Sequence, residues 1–228
     1  MPTLIHHPLC PHSRFIRLIL AEYGIETQLL EERVTDRNPD FLHLNPAGRT
    51  PVFVDDDGAV VPGASVIAEY LDETRGSAAG AARLLPTELM ARVETRRLVE
   101  WFNCKFYDEV TNWLVTEKVY KRFALAGNGA PDMDLLRVAR ANIRPHMRYI
   151  GYLTGVRKWL AGDCLTYADF AAAAHISCAD YLGDAPWDED ESAKHWYQRI
   201  KSRPAFRPLI ADRAPGMIPG RYYAELDF

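Results

Sequence analysis

The chain has 228 residues, which is enough for one large domain or for two smaller domains that each bury a core. Its net charge of −4 and pI of about 6.0 exclude the basic face that non-specific nucleic-acid binding requires. The four scattered cysteines form no CxxC pair, so neither a metal site nor a disulfide framework is predicted. Without a signal-peptide pattern or an apolar run of roughly 20 residues, no membrane span is expected. We therefore expect a cytoplasmic protein.

The first 74 residues alternate between strand-like and helix-like patterns. The patterns predict strands at 3–6, 25–30, 51–54 and 59–61, and helices at 13–23, 38–44 and 64–73. An Asp-Gly turn at residues 57–58 joins the last two strands as a hairpin. The order βαβαββα predicts a mixed four-stranded sheet with helices on both faces, which is an α/β thioredoxin-like arrangement.

The composition changes at residues 76–82, where small residues indicate a linker. Beyond it, helical patterns at 87–119, 134–158, 166–182, 191–201 and 204–211 predict an all-α unit. We therefore expect an α/β domain at 1–75, a linker at 76–86, an all-helical domain at 87–213 and an extended tail at 214–228.

A candidate reactive thiol lies between the first strand and the first helix. Cys10 begins the sequence C-P-H-S, just ahead of an amphipathic stretch. The N–H groups at a helix N-terminus favour the thiolate over the thiol. Because Ser13 replaces a second cysteine, the motif favours a mixed disulfide or direct thiolate attack over an intramolecular dithiol. The alternative is a cysteine that only packs at the strand–helix junction.

A second candidate motif is NPAGRTPVF at residues 45–53. A proline at the start of a strand donates no backbone hydrogen bond, and the bond before proline tolerates the cis form. A cis Pro51 would leave the backbone of Thr50 free to pair with a peptide-like ligand.

Together these motifs resemble the glutathione S-transferase superfamily over essentially the whole chain. The resemblance implies a catalytic role for Cys10, with glutathione as co-substrate and no other cofactor. It implies that Thr50 binds the cysteinyl backbone of glutathione, that Pro51 is the cis proline and that Arg49 lies near the glycyl carboxylate. It also implies that Thr166 and Asp169 form the family's structural helix-capping box.

One departure from the family pattern concerns the third helix. The family opens this helix with an acidic or amide residue followed by serine, and the pair holds the γ-glutamyl group. Here Gly63 and Ala64 occupy those positions, and Ser65 is one residue late, about 100° away around the helix. The helix N-terminus retains its backbone N–H groups for a carboxylate. Two side-chain hydrogen bonds are missing, each worth roughly 1.5–3 kcal/mol, so we expect an eroded glutathione site.

The tail ends in an aromatic and acidic sequence that either packs on the domain or binds a partner. The residues concerned are Tyr222, Tyr223, Glu225, Leu226, Asp227 and Phe228. This ending resembles an alphaproteobacterial branch of transferase-like proteins, whose characterised member binds filaments of the tubulin-like division protein FtsZ.

Two functions therefore stand as hypotheses. The first is a protein-binding module in cell division that uses the tail to bind FtsZ filaments. The alternative is a Cys10-dependent glutathione transferase or thiol transferase that acts on small electrophiles or mixed disulfides. The family resemblance also implies a homodimer, with Val93, Leu98 and Trp101 as candidates for the apolar contact.

Overall fold

The structure is a computed structural model that describes residues 1–123 and 129–228. The strands are β1 Thr3–His6, β2 Gln28–Glu31, β3 Val52–Val54 and β4 Val60–Pro62. The helices are α1 Pro11–Glu22, α2 Pro39–Leu44, α3 Ala64–Leu71, α4 Leu89–Glu100, α5 Asn112–Val115, α6 Lys121–Phe123, α7 Met133–Val156, α8 Tyr167–Tyr181, α9 Glu191–Lys201 and α10 Arg207–Ile210. Short 3₁₀ turns lie at Val34–Asp36, Gly80–Ala82 and Pro204–Phe206.

The four strands form one mixed sheet in the order β2-β1-β3-β4. β1 pairs with β2 in parallel and with β3 antiparallel, and β3 pairs with β4 antiparallel. Leu4 lies opposite Phe53 in the register, and both side chains are buried. The predicted mixed sheet is confirmed, with small shifts of strand ends. β2 begins three residues later than predicted, because the Ile25 N–H donates a hydrogen bond to Leu20 O at the end of α1.

The helical half is built around one continuous helical stretch at residues 89–123. It contains α4, α5 and α6, joined by π-helical turns at Trp101–Thr111 and Thr116–Tyr120. α7 packs against the π-helical segment Trp101–Thr111 and against α9. α7 continues through Pro145, so the proline does not end the helix. The predicted thioredoxin-like fold followed by a helical unit is confirmed.

α8 lies at the centre of the molecule, and every one of its residues is buried. The predicted capping box is present: Thr166 caps α8, and Asp169 accepts hydrogen bonds from the Thr166 N–H at 3.0 Å. Asp169 also accepts from the Leu160 N–H and the Trp196 indole, each at 3.0 Å. A buried carboxylate with this many donors holds the start of α8 to its neighbours.

The interface between the two halves is largely α1 against α8. Arg14, fully buried on α1, donates to Pro8 O at 2.6 Å and to Ser177 Oγ at 2.8 Å. Arg17 forms a bidentate pair with Asp212 at 2.7 and 2.9 Å. Within the predicted linker, Leu84 is buried in the same core. No helix among the described residues is long and apolar enough to cross a membrane.

Candidate thiol site and C-terminal tail

Cys10 is the N-cap residue of α1, and Pro11 occupies the first helical position. Proline fits there because this position needs no backbone donor. The Cys10 side chain is only 6 % exposed, and its Sγ donates to Thr50 O over 3.7 Å. The Thr50–Pro51 bond is cis, as the family resemblance implies. Cys10 and the Thr50–Pro51 loop are therefore in direct contact, although 40 positions separate them in the sequence.

The pKa of the Cys10 thiol is lowered from 9.0 to about 7. Burial by itself raises this pKa, but hydrogen bonds from His12 and Ser13 and the charge of His12 outweigh that effect. At His12 burial has the opposite effect and lowers the pKa. The interactions of His12 with Cys10 and Asn103 outweigh burial and raise its pKa above 6.5. The two side chains therefore favour a thiolate–imidazolium pair. We expected acidification from the helix N-terminus; in the structure His12 is the main side chain responsible.

His12 connects the thiol to the helical half. Its Nε2 lies 2.9 Å from Asn103 O, and its ring packs edge-on against Tyr107 with centroids 4.6 Å apart. Asn103 Oδ1 is in turn 3.2 Å from His175 Nε2 on α8. Sequence reasoning missed Asn103, because it lies 91 positions from His12 and no local pattern marks it.

An open cleft of about 460 Å³ lies between the two halves, next to Thr50, which accepts the hydrogen bond from Cys10. Its lining includes His12, Arg49, Thr50, Gly63, Ala64, Ser65, Asn103, Cys104, Tyr107 and Asp108. Of the six residues predicted for the glutathione site, Arg49, Thr50, Gly63 and Ala64 line this cleft, whereas Cys10 and Pro51 do not. Arg49 is exposed, whereas Thr50 is buried. Among the described parts of the chain, no cluster of three or more His, Cys, Asp or Glu residues could hold a metal ion.

The start of α3 has the expected departure from the family pattern. Gly63 is the N-cap residue with φ +92°, a conformation that favours glycine, and no side chain caps the helix. Ala64 follows with its side chain buried, and no acidic residue lies in the first turn. Ser65 is exposed and lines the cleft. The polar groups that the first turn brings to the cleft are therefore backbone N–H groups and one hydroxyl.

The C-terminal tail (residues 214–228) folds back onto the helical half. Tyr223 is fully buried, packs edge-on against Tyr181 at 4.9 Å and donates its hydroxyl to Leu209 O. The Phe228 ring contacts Trp187 at 4.7 Å, and Lys201 Nζ lies 4.6 Å from the centre of the ring. These two aromatic residues therefore anchor the tail.

Other predicted tail residues remain at the surface. Glu225 and Asp227 are exposed, and Leu226 is 42 % exposed, all between the anchors Tyr223 and Phe228. Tyr222 is half-buried and stacks on Phe228 with centroids 5.5 Å apart. The two alternatives for the tail therefore apply to different residues: two aromatic side chains pack, and an acidic–apolar triplet is presented to solvent.

The path of the tail depends on a close backbone contact at Gly220. The Gly220 N–H donates to Tyr181 O at 2.7 Å. A Cβ atom at this position would lie 2.3 Å from Asp180 O, far inside van der Waals contact. Glycine is therefore required for the tail to lie against the end of α8.

This combination of a thioredoxin-like unit, a cis proline facing a cysteine and a helical unit defines the glutathione S-transferases. The chain belongs to the glutathione S-transferase family, since the family's N-terminal domain model matches residues 9–74 and its C-terminal domain model matches residues 137–204.

Among curated proteins, the chain is 43% identical to FtsZ-localized protein A of Caulobacter vibrioides over 229 aligned residues, which cover 99% of this chain and 98% of that protein. Among solved structures, it is similar to a glutathione S-transferase from Sinorhizobium meliloti 1021, with 53% identity, a TM-score of 0.97 and full coverage of both chains. It is also similar to FzlA from C. crescentus, with 43% identity and a TM-score of 0.92 over 100% of this chain and 99% of that one.

Proposed function

We propose that this protein is a cytoplasmic binding module of cell division that attaches to FtsZ filaments through its C-terminal tail. The observation that carries the proposal is the exposed triplet Glu225, Leu226 and Asp227, held between two packed aromatic anchors. The 43% identity to FtsZ-localized protein A over nearly the whole chain supports the choice of partner.

The anchoring of the tail favours binding for a thermodynamic reason. A disordered segment loses conformational entropy when it binds, which weakens its affinity. Here Gln198 Nε2 donates to Phe228 O at 2.9 Å, and Lys201 Nζ donates to Tyr222 O at 2.6 Å. The exposed triplet is therefore already ordered in the free protein, and the acidic pair suits a basic patch on the partner.

Substitution of Asp227 by lysine tests the proposal. Asp227→Lys should abolish co-sedimentation with FtsZ filaments, because it replaces attraction to a basic patch with repulsion. The free energy of unfolding should change by no more than about 0.5 kcal/mol, since the residue is exposed. Asp163→Lys makes the same charge change at another exposed position and should pellet normally. Unchanged pelleting of the Asp227→Lys protein would reject the tail as the binding element.

We further propose that the protein is a homodimer. Val66 on α3 and Leu89, Met90 and Val93 on α4 are large apolar residues between 47 and 71 % exposed. A second copy of the chain would cover them. Three residues were expected at this contact. The prediction was wrong for Leu98, because this side chain is fully buried in the core of its own chain. Trp101 is half-buried and donates to His146 Nδ1 at 3.1 Å.

The second candidate function is thiol chemistry at Cys10, which is favoured by its pKa of about 7 and by its contact with Thr50 in the wall of a cleft. With Gly63 and Ala64 at the γ-glutamyl position, we propose that the glutathione site is eroded and that glutathione binds weakly. Calorimetric titration of glutathione and a conjugation assay on Cys10→Ala test this point together. We expect weak heats and slow turnover. A fast conjugation rate that saturates with glutathione and vanishes in Cys10→Ala would instead favour the enzyme.

A further inference from the structure

We propose that Lys201, the last residue of α9, holds the C-terminal tail in place and so positions the exposed residues 225–227 for their partner. This inference rests on the proposed tail-binding function and names the residue on which the order of the tail depends. Because its side chain is fully buried, Lys201 acts through the backbone and the terminal aromatic ring of the tail. It is therefore a positioning residue and not a contact for the partner.

The ammonium group of Lys201 is shared between the domain and the tail. It has three N–H donors, and among the residues that the structure describes three groups lie closest to it. Nζ donates to Asp180 Oδ2 on α8 at 3.1 Å and to Tyr222 O in the tail at 2.6 Å. The centre of the Phe228 ring lies 4.6 Å from Nζ, within the distance at which an aromatic face attracts a cation. Two of these three groups belong to the tail.

A lysine this deep in a domain is destabilising unless its charge is paired and its donors are satisfied. Asp180 is also buried and supplies the opposite charge, and it accepts a further hydrogen bond from the Tyr197 hydroxyl at 3.2 Å. Burial lowers the pKa of Lys201 below its usual value, whereas the charges of Asp180 and Glu225 act in the opposite direction. Asp180 therefore neutralises the charge of Lys201, and the tail satisfies its remaining donors.

The carbonyl that Lys201 binds also forms the last turn of the tail. Tyr222 O accepts a second hydrogen bond, from the Glu225 N–H at 3.1 Å. One turn earlier, the Tyr223 N–H donates to Gly220 O at 3.0 Å. A hydrogen bond from an ionised donor is stronger than one between neutral groups, so Lys201 fixes the turn from which residues 225–227 project.

A purely structural role for the buried pair would join α8 to α9 and do nothing more. In that case, removing both charges would leave the tail as it is. If Lys201 holds the tail, removing both charges releases the tail even though the domain stays folded. Replacement of a buried ion pair by uncharged groups of similar size is often neutral for stability, so a double replacement separates the two roles.

The test compares Lys201→Met with the double variant Lys201→Met, Asp180→Asn. In both proteins Tyr222 O loses its charged donor. Hydrogen exchange at the Tyr223 and Glu225 amides, measured by NMR, should therefore be about 10- to 100-fold faster than in the parent protein. The single variant should also melt at a lower temperature, because the Asp180 carboxylate is left buried without a counter-charge. The double variant should melt close to the parent protein.

The matched control makes the same two chemical changes at exposed positions. Lys158 and Asp163 are both exposed, and the variant Lys158→Met, Asp163→Asn should keep the exchange rates of the parent protein in the tail. Unchanged exchange at Tyr223 and Glu225 in the double variant of the buried pair would reject the proposal.

Co-sedimentation with FtsZ filaments distinguishes this inference from the proposed function. We expect the double variant of the buried pair to pellet less than the parent protein, because its binding includes the cost of ordering the tail. Faster exchange with unchanged pelleting would overturn the positioning role. If the parent protein does not pellet, the tail-binding function is rejected, and the exchange rates alone decide whether Lys201 holds the tail.

A second measurement leaves the buried pair intact. Phe228 is half-buried, and Phe228→Ala removes the ring next to Lys201 without changing Lys201 or Asp180. In the parent protein, burial should protect Lys201 from acetylation by acetic anhydride, followed by mass spectrometry, while the exposed Lys158 reacts. Acetylation of Lys201 should be roughly 3- to 30-fold faster in Phe228→Ala. Equal protection of Lys201 in both proteins would overturn the proposal.

Discussion

Two adjacent histidines, His6 at the end of β1 and His7 directly after it, are kept neutral by their surroundings. Burial lowers the pKa of each to about 4, with additional repulsion from Arg17 at His6 and from Arg14 at His7. The Leu9 N–H donates to His7 Nδ1 at 3.2 Å, which requires that nitrogen to be unprotonated. Both groups therefore oppose protonation of the folded protein.

We predict that acid destabilises the protein between pH 6.5 and about 4 partly through these histidines. In this window the unfolded chain binds protons that the folded state does not, so the free energy of unfolding falls as the pH falls. Each histidine should contribute on the order of 2 kcal/mol. Urea unfolding at several pH values should show that the free energy of unfolding of His7→Asn depends less on pH than that of the parent protein. The asparagine amide oxygen can still accept the hydrogen bond from the Leu9 N–H. His43→Asn, at an exposed site, should match the parent; equal slopes for both variants would contradict the prediction.

At the scale of single residues, the sequence identified the groups that lie on local motifs. Cys10, the Thr50–Pro51 bond and the Gly63–Ala64 departure each follow from a short stretch of chain. The partners of His12 and of the tail anchors could not be predicted, because their contacts join distant segments. The bond between His12 and Asn103 exists only after the two halves pack together.

At the scale of elements, the C-terminal tail uses different residues to pack on the domain and to remain exposed to a partner. Its composition predicted either packing or partner binding, and no periodicity marks which residue turns inward. Tyr223 is fully buried beside the Arg14 guanidinium, which lies 5.7 Å from its ring centre. Leu226, three residues later, is 42 % exposed. The choice depends on the surface beneath the tail, to which α1, α8, α9 and α10 all contribute.

We predict opposite outcomes for two truncations in this tail. Tyr223→Ala should cost about 3–5 kcal/mol and lower the melting temperature by about 10 °C, because it removes a buried ring. Leu226→Ala should change stability by no more than about 0.5 kcal/mol but weaken co-sedimentation with FtsZ filaments. Thermal melts and pelleting of both variants give the comparison. A large loss of stability in Leu226→Ala would show that this residue packs in solution.

At the scale of the whole molecule, the fold class could be predicted because alternating strand and helix patterns before residue 76 are followed by helical patterns alone. The relative placement of the two halves could not, since it depends on buried charges. Arg17 and Asp212 lie 195 positions apart, and their bidentate pair joins α1 to the segment after α10. Removing Asp212 would leave the buried Arg17 guanidinium without its carboxylate partner, which is strongly destabilising.

We predict that the molecule sediments as a dimer at micromolar concentration and that Val93→Glu converts it to a monomer. A buried, unpaired carboxylate at an apolar contact opposes association. Val138 on α7 is 50 % exposed, similar to Val93 at 47 %, and Val138→Glu should leave the dimer intact. Sedimentation velocity distinguishes these cases, and a monomeric parent protein would reject the proposed contact.

The close approach at Gly220 has a consequence for sorting relatives by sequence. A side chain at this position would collide with the carbonyl oxygen of Asp180, so any replacement moves the tail away from α8. A relative that keeps the aromatic and acidic residues but has lost this glycine would carry the same binding residues on a detached segment. The residue at this one position therefore distinguishes two kinds of chain. With glycine the tail is ordered before a partner binds, and with any other residue the tail becomes ordered only on binding.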